Sequence, residues 1–370
     1  MLGLIEGVAD ALAGVARFIG GPLADDPARR RRVAAGGYTA TAVLAALTAG
    51  ATAAWQVGVL RAGAWFARGL RVPSRNALLA DLVTPAQYGR AYAFERLGDN
   101  AGAVVGPLLA LGLVSWVGVR TAIGLSVIPG LLAAAAILYA IRAAPKLTAR
   151  DRTRLRITVR PLLRGSLGRL LGASAAFEVA NVAATLLILR ATDLLDSGRG
   201  FTAATQLALA GYIGYNLVAT VVTVPAGRII DRAGAAVGGP RVLAVGAGLF
   251  AVGYAVFAVT GGSVALLVVA FALAGAGIGC AETAEHATVA ALAPAALRGS
   301  AFGLLATVQA AGNLAASAIA GLLYTVASPA AAFWYLAAWM VVASVALAAT
   351  GARPSRSERA GGGAARGTAR

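Results

Sequence analysis

Runs of Ala, Leu, Val and Gly alternate along the chain with short turns that carry arginine. A run of ~20 such residues crosses a bilayer as a helix, the form that satisfies its own backbone in hydrocarbon. The pattern predicts eleven spans, at about 1–24, 33–51, 53–75, 90–114, 119–142, 168–190, 204–228, 241–260, 264–285, 299–325 and 330–350. Glycine is less damaging in them than in a soluble helix, because small residues let membrane helices approach closely. The expected class is an all-α polytopic membrane protein with two pseudo-symmetric helical bundles and about 11 transmembrane helices, five in the first bundle and six in the second.

Composition sharpens this reading. Of 370 residues, 59% are hydrophobic and 13% charged, at a mean hydropathy of +0.77. A soluble domain carries about 25% charged residues, so no large soluble domain fits. The net charge of +17 would suggest a nucleic-acid partner in a soluble protein. Here the arginines sit in a few short loops, which points to membrane orientation and to no nucleic acid. Arg29 to Arg32, Arg75, Arg90, the 142–169 stretch, Arg228, Arg232, Arg241, Arg298 and the tail after Arg353 fall on one side. That side is expected to be cytoplasmic, together with the C-terminus, in a bacterial plasma membrane. Met1 to Asp10 lacks a basic start and reads as no secretory signal. With Cys280 and His286 each the only one of its kind, no disulfide framework, metal cluster or cofactor is expected. No phosphate-binding loop is present in the sequence, so ATP does not drive the protein directly.

An internal repeat runs through the spans. A shift of 210 residues pairs Gly69 with Gly279, Leu82 with Leu292, Gly89 with Gly299 and Gly102 with Gly312, and a shift of 206 pairs Gly21 with Gly227 and Asp25 with Asp231. The expected division is an N-terminal bundle over 1–142, a basic cytoplasmic linker over 143–167, a C-terminal bundle over 168–350 and a disordered tail over 351–370.

Gly21-Pro22-Leu23-Ala24-Asp25 before Arg29 to Arg32, and Gly227-Arg228-Ile229-Ile230-Asp231-Arg232-Ala233-Gly234, resemble the loop signature of the Major Facilitator Superfamily. The first copy departs from it at Asp26 and Ala28. Arg61 to Asp81, with Gly69 and Pro73, is similar to that superfamily's fourth helix, although Trp65 stands where Gly is favoured. Arg71 to Asp81 followed by Gly89-Arg90-Ala91 looks like one bacterial branch of it. The resemblance implies a secondary transporter with twelve spans in two sixes. Span 1 pairs with span 7, so a counterpart of span 6 is missing before Met1, through a misplaced start or a true eleven-span chain.

Charged groups within a span cost about 2.5–3.5 kcal/mol to insert, so they mark cavities or partners. Glu6 and Asp10 share a helix face, and the repeat sets them against Tyr212 and Asn216. Asp99 pairs by repeat with Gln309, and Glu178 and Asn181 are expected to face the cavity. Glu282 and His286 lie four apart, which places a carboxylate one turn from an imidazole able to exchange protons near neutral pH. With Arg61, whose coupling role the resemblance implies, these are the substrate and proton-coupling candidates. Asp25, Asp81, Asp231 and Arg232 are assigned to gating, and Arg75 is expected to pair with Glu285. Asp81 should reach the Arg29 to Arg32 run. The function expected is movement of a small molecule by alternating access, as proton-coupled efflux, by a monomer in the lipid bilayer. A transporter-derived scaffold or an intramembrane enzyme built on His286 and Glu282 are the alternatives.

Overall fold

The computed structural model describes residues 2–143 and 159–351, with side chains at 12–142 and 159–350. Most of the expected linker and nearly all of the tail therefore lie outside the described residues. Among those described, all regular structure is helical. In chain order the helices are α1 (Leu2–Leu23), α2 (Pro27–Leu47), α3 (Ala54–Leu82), α4 (Tyr88–Val117), α5 (Val119–Leu125), α6 (Val127–Ala143), α7 (Gly165–Glu178), α8 (Ala184–Arg199), α9 (Phe201–Ala233), α10 (Ala235–Val259), α11 (Val264–Leu292), α12 (Arg298–Val326) and α13 (Pro329–Gly351).

Each expected span is helical, and two are interrupted. Span 119–142 breaks at Ser126, whose hydroxyl donates to the Ile123 carbonyl at 2.6 Å. Pro129, three residues on, has no N–H to offer the Leu125 carbonyl and crowds it, so the helix restarts as α6. Span 168–190 was expected to be continuous and is not: α7 ends at Glu178 and α8 begins at Ala184. The backbone groups freed there find partners on α12, where Asn313 Nδ2 donates to the Asn181 carbonyl at 2.9 Å and Ser317 Oγ accepts from Ala183 N at 3.4 Å. Hydropathy cannot register such a break, because the residues across it remain mostly apolar.

The chain forms two compact units. Unit 1 comprises Met1–Thr84, Ala101–Val159 and Ala293–Ala310; unit 2 comprises Pro85–Asn100, Arg160–Leu292 and Ala311–Arg370. In unit 1, α3 packs on α1 and α2, and α2 also meets α6. Its core is built from small residues such as Ala16, Ala34 and Ala77, all fully buried. In unit 2, α10 packs on α11 and α13, α11 on α9, and α13 on α7. That core is aromatic: Phe257 has its ring centroid 5.2 Å from those of both Phe271 and Phe333.

The repeat in the sequence is a repeat in packing. A Cβ at Gly69 of α3 would stand 2.5 Å from the Ala13 carbonyl of α1, and one at Gly279 of α11 would stand 2.6 Å from the Ala219 carbonyl of α9. The two contacts are related by the offsets 210 and 206, so each unit holds the same glycine-mediated helix crossing. Leu111, Trp116, Val221, Leu314 and Val345 lie on the exposed faces, as expected of helices solvated by lipid. Eight segments among the described residues are long and apolar enough to span a membrane by length and composition alone. Helix α3 is not among them, since Arg61, Arg68, Arg71 and Arg75 break its apolar run.

Candidate functional site

On the arginine-rich side of each unit, a repeat-related aspartate sits at the start of a helix distant in sequence. In unit 1, Asp25 lies in the turn between α1 and α2. It accepts from Ser300 N at 2.8 Å and from the Ser300 hydroxyl, in the first turn of α12. In unit 2, Asp231 in the last turn of α9 accepts from Gly89 N at 2.7 Å, Arg90 N at 3.1 Å and Arg90 Nε at 2.8 Å, in the first turn of α4. The opening N–H groups of a helix have no partner within it and carry its positive end, so a carboxylate both satisfies them and complements the dipole. Glycines make the approach possible. A Cβ at Gly299 would lie 2.6 Å from the Gly21 carbonyl, and one at Gly89 would lie 2.8 Å from Asp231 Oδ1.

The first copy is reinforced. Asp81, at the end of α3, stands between two guanidiniums: Arg30 Nη1 donates to its Oδ2, and Arg298 Nη1 donates to its Oδ1 at 2.8 Å. Arg30 also donates Nε to the Ala24 carbonyl at 2.6 Å and is only 2% exposed. Burial pushes the Asp25 carboxyl above the ordinary carboxylate range, against the pull of its two Ser300 bonds and the nearby Arg30 charge. Asp231 has a single arginine, and that side chain is 59% exposed.

A second group of charges lies farther along the helices of unit 2. Arg96 of α4 grips Glu95 through both carboxylate oxygens, at 2.7 and 3.1 Å. Its Nη1 also stands 3.7 Å from Asp99 Oδ2 and 3.7 Å from Glu282 Oε2. One guanidinium thus serves three carboxylates. His286 does face Glu282, but its Nδ1 meets the backbone carbonyl at 2.8 Å while the Glu282 carboxylate turns to Arg96. The four-residue spacing is satisfied by the main chain, the usual fate of a helical imidazole. The His286 ring centroid is 5.8 Å from that of Tyr92, and Glu285 beside it is buried.

The family profile of the Major Facilitator Superfamily matches residues 1–237 and 170–369. The chain belongs to the Major Facilitator Superfamily. It is 31% identical over 148 residues to an uncharacterized protein of Mycobacterium tuberculosis, a match covering 40% of this chain and 36% of the relative. The matched stretch thus spans about a third of that relative's length. An uncharacterized MFS-type transporter of Methanocaldococcus jannaschii is 25% identical over 94% of this chain and 85% of its own. Among solved structures, a bacterial homologue of the iron transporter ferroportin in the outward-facing state superposes at a TM-score of 0.75 and 18% identity, covering 95% of this chain and 90% of that one. This is a multi-pass membrane protein with a Major Facilitator Superfamily fold.

The remaining positions scatter around these groups. Asn216 donates Nδ2 to the Tyr212 carbonyl at 2.9 Å, a bond within its own helix, and the Tyr212 ring stacks on Tyr215 at 5.8 Å. Arg75 Nε donates to Asn76 Oδ1 at 3.4 Å. Asn181 donates Nδ2 to Glu178 Oε2 at 2.9 Å. Arg61 is exposed on α3, Gln309 is half-buried on α12, and Arg232 is exposed on the last turn of α9, outside both aspartate networks. Glu6 and Asp10 fall on α1, with side chains outside the described residues.

Several partners escaped the sequence reading: Ser300, Arg90, Arg298, Asn313 and Ser317. For the first two a signal existed. The shift of 210 that pairs Gly89 with Gly299 also pairs Arg90 with Ser300, so the residue after the repeated glycine holds the motif aspartate in both halves. Asn313 and Ser317 carried none, because which backbone gap an amide fills depends on where another helix breaks.

Proposed function

We propose that this superfamily member is a secondary transporter that moves a small molecule by alternating access, driven by protons and in the direction of efflux. The observation that carries the reading is the charge group on Arg96. Glu95, Asp99 and Glu282 gather on one guanidinium within the apolar helices, and ionisable groups placed there mark substrate and proton pathways. Its arginine-rich side is taken as cytoplasmic, in the cell membrane. Release of the α12 start from Asp25, and of the α4 start from Asp231, is then the step that frees the cytoplasmic helix ends.

Pairing of Arg75 with Glu285 is proposed as a further cytoplasmic gate. Cross-linking of R75C with E285C after removal of Cys280 tests it, and failure to cross-link under any condition sinks that gate. Transport itself is tested by counterflow in proteoliposomes, using labelled small amphipathic compounds, with and without an imposed pH gradient. Gradient-sensitive exchange of at least one compound is expected. No exchange of any compound by correctly inserted protein would overturn the reading in favour of a non-transporting scaffold.

A further inference from the structure

The break between α7 and α8 is unused by the aspartate networks and by the Arg96 group. Non-helical backbone at membrane depth survives where protein buries it or where it holds a ligand, and broken helices form the ion and substrate sites of many transporters. This break gathers polar groups from four helices. Glu178 closes α7, and Asn181 in the gap donates to it. Asn313 and Ser317 of α12 cover the exposed main chain. Tyr254 of α10 is fully buried near the Val182 main chain and Glu178, and its hydroxyl has no hydrogen-bond partner among the described residues. The ionisable groups that face Glu178 are Glu285 and Glu282 of α11 and Tyr254 of α10.

Glu178 is 3% exposed. An amide donor is not a counter-charge, and the charged groups set against it among the described residues, Glu285 and Glu282, have its own sign. A carboxylate so placed needs a cation, since an isolated ionised group in an apolar interior is far too costly. Gly312 of α12 packs so closely on the Glu178 Cβ and main chain that a methyl there would collide with them, which fixes where α7 ends against α12.

We propose that the α7–α8 break is the coupling-cation site of the transporter, where Glu178 carries one small inorganic cation, a proton or a sodium-sized ion. Asn181 and the Tyr254 hydroxyl supply neutral oxygens around it. The word coupling rests on the transport reading above, whereas occupancy of the site does not, and it is measured on purified full-length protein without transport.

Two measurements separate the sources. Infrared difference spectra between acidic and alkaline buffer report a protonated buried carboxyl; thermal unfolding at alkaline pH in sodium chloride against choline chloride reports a bound metal ion. For a proton, the wild type shows the carboxyl band and E178Q loses it. For sodium, the wild type melts higher in sodium than in choline and E178Q loses that difference. N181A, which keeps the carboxylate, guards against a misfolded E178Q: loss of its donor should alter the carboxyl band, or weaken the sodium effect. A wild type with neither signal, or with signals that E178Q and N181A leave unchanged, overturns the proposal. Counterflow lost while these signals persist would instead remove the transport reading and leave the site.

Discussion

Asp25 and Asp231 occupy equivalent places in the repeat, and both hold the first turn of a helix that begins far away in sequence. Their surroundings differ. Around Asp25 the structure adds a buried chain of Arg30, Asp81 and Arg298, with side chains 3%, 13% and 13% exposed. Around Asp231 it adds only Arg90, mostly exposed. The repeat partner of Asp81 is Ala291, so the second copy has nothing to centre a network on. Both copies share the minimal device, an aspartate on opening helix N–H groups with glycines that allow contact. Among the described residues, the buried arginines accompany the first copy. The two copies should therefore release unequally, the second first.

Four experiments would break or sharpen that comparison. The largest effect is expected from D81A, which removes the carboxylate that Arg30 Nη1 and Arg298 Nη1 share. Breaking a buried pair costs about 3–5 kcal/mol, so the variant should melt far below wild type in detergent, whereas R90A should cost at most about 1 kcal/mol. Equal losses in the two variants would end the claim of asymmetry. Next come G299A and G89A, each of which drives a methyl into opposing backbone. Overpacking costs about 1–3 kcal/mol, and because both copies share this contact the two losses should be similar, as read by unfolding in mixed micelles.

D25A should cost about 1–2 kcal/mol by stranding the Ser300 donors, and D25N less, since the amide oxygen still accepts from Ser300 N. The smallest effect concerns pH. The Asp25 carboxyl titrates above its unfolded value of 3.8 in the folded protein. Folding therefore takes up a proton, and stability from this group falls as pH rises from 3.8 through the folded value. D25N should flatten the melting temperature over that window, and an unchanged slope would contradict the burial argument.

Much of the frame was legible before any coordinates. Hydropathy located helix in every expected span, eight of them in segments long and apolar enough to cross a membrane, and the offsets 206 and 210 anticipated that Gly69 and Gly279 would mediate the same crossing. Asp81 was expected near the Arg29 to Arg32 run, and it meets Arg30 of that run. The candidate site was less readable. His286 and Glu282 have the spacing of a side-chain pair, yet the imidazole takes the main-chain carbonyl and the carboxylate takes Arg96. Spacing along one helix states which groups could meet; a competing arginine from another helix decides which do.

The sequence by itself determined the class, the spans and the repeat, because these follow from local hydropathy and from periodic glycines, which each residue carries wherever the chain goes. Only the tertiary structure decided that α4 and α12 each divide between the two compact units, that Ser300 and Arg90 complete the aspartate networks, and that α7 stops at Glu178. Those outcomes turn on where freed N–H and C=O groups and buried charges find partners. In an interior without water the partners must come from other helices, and no stretch of sequence contains its own neighbours.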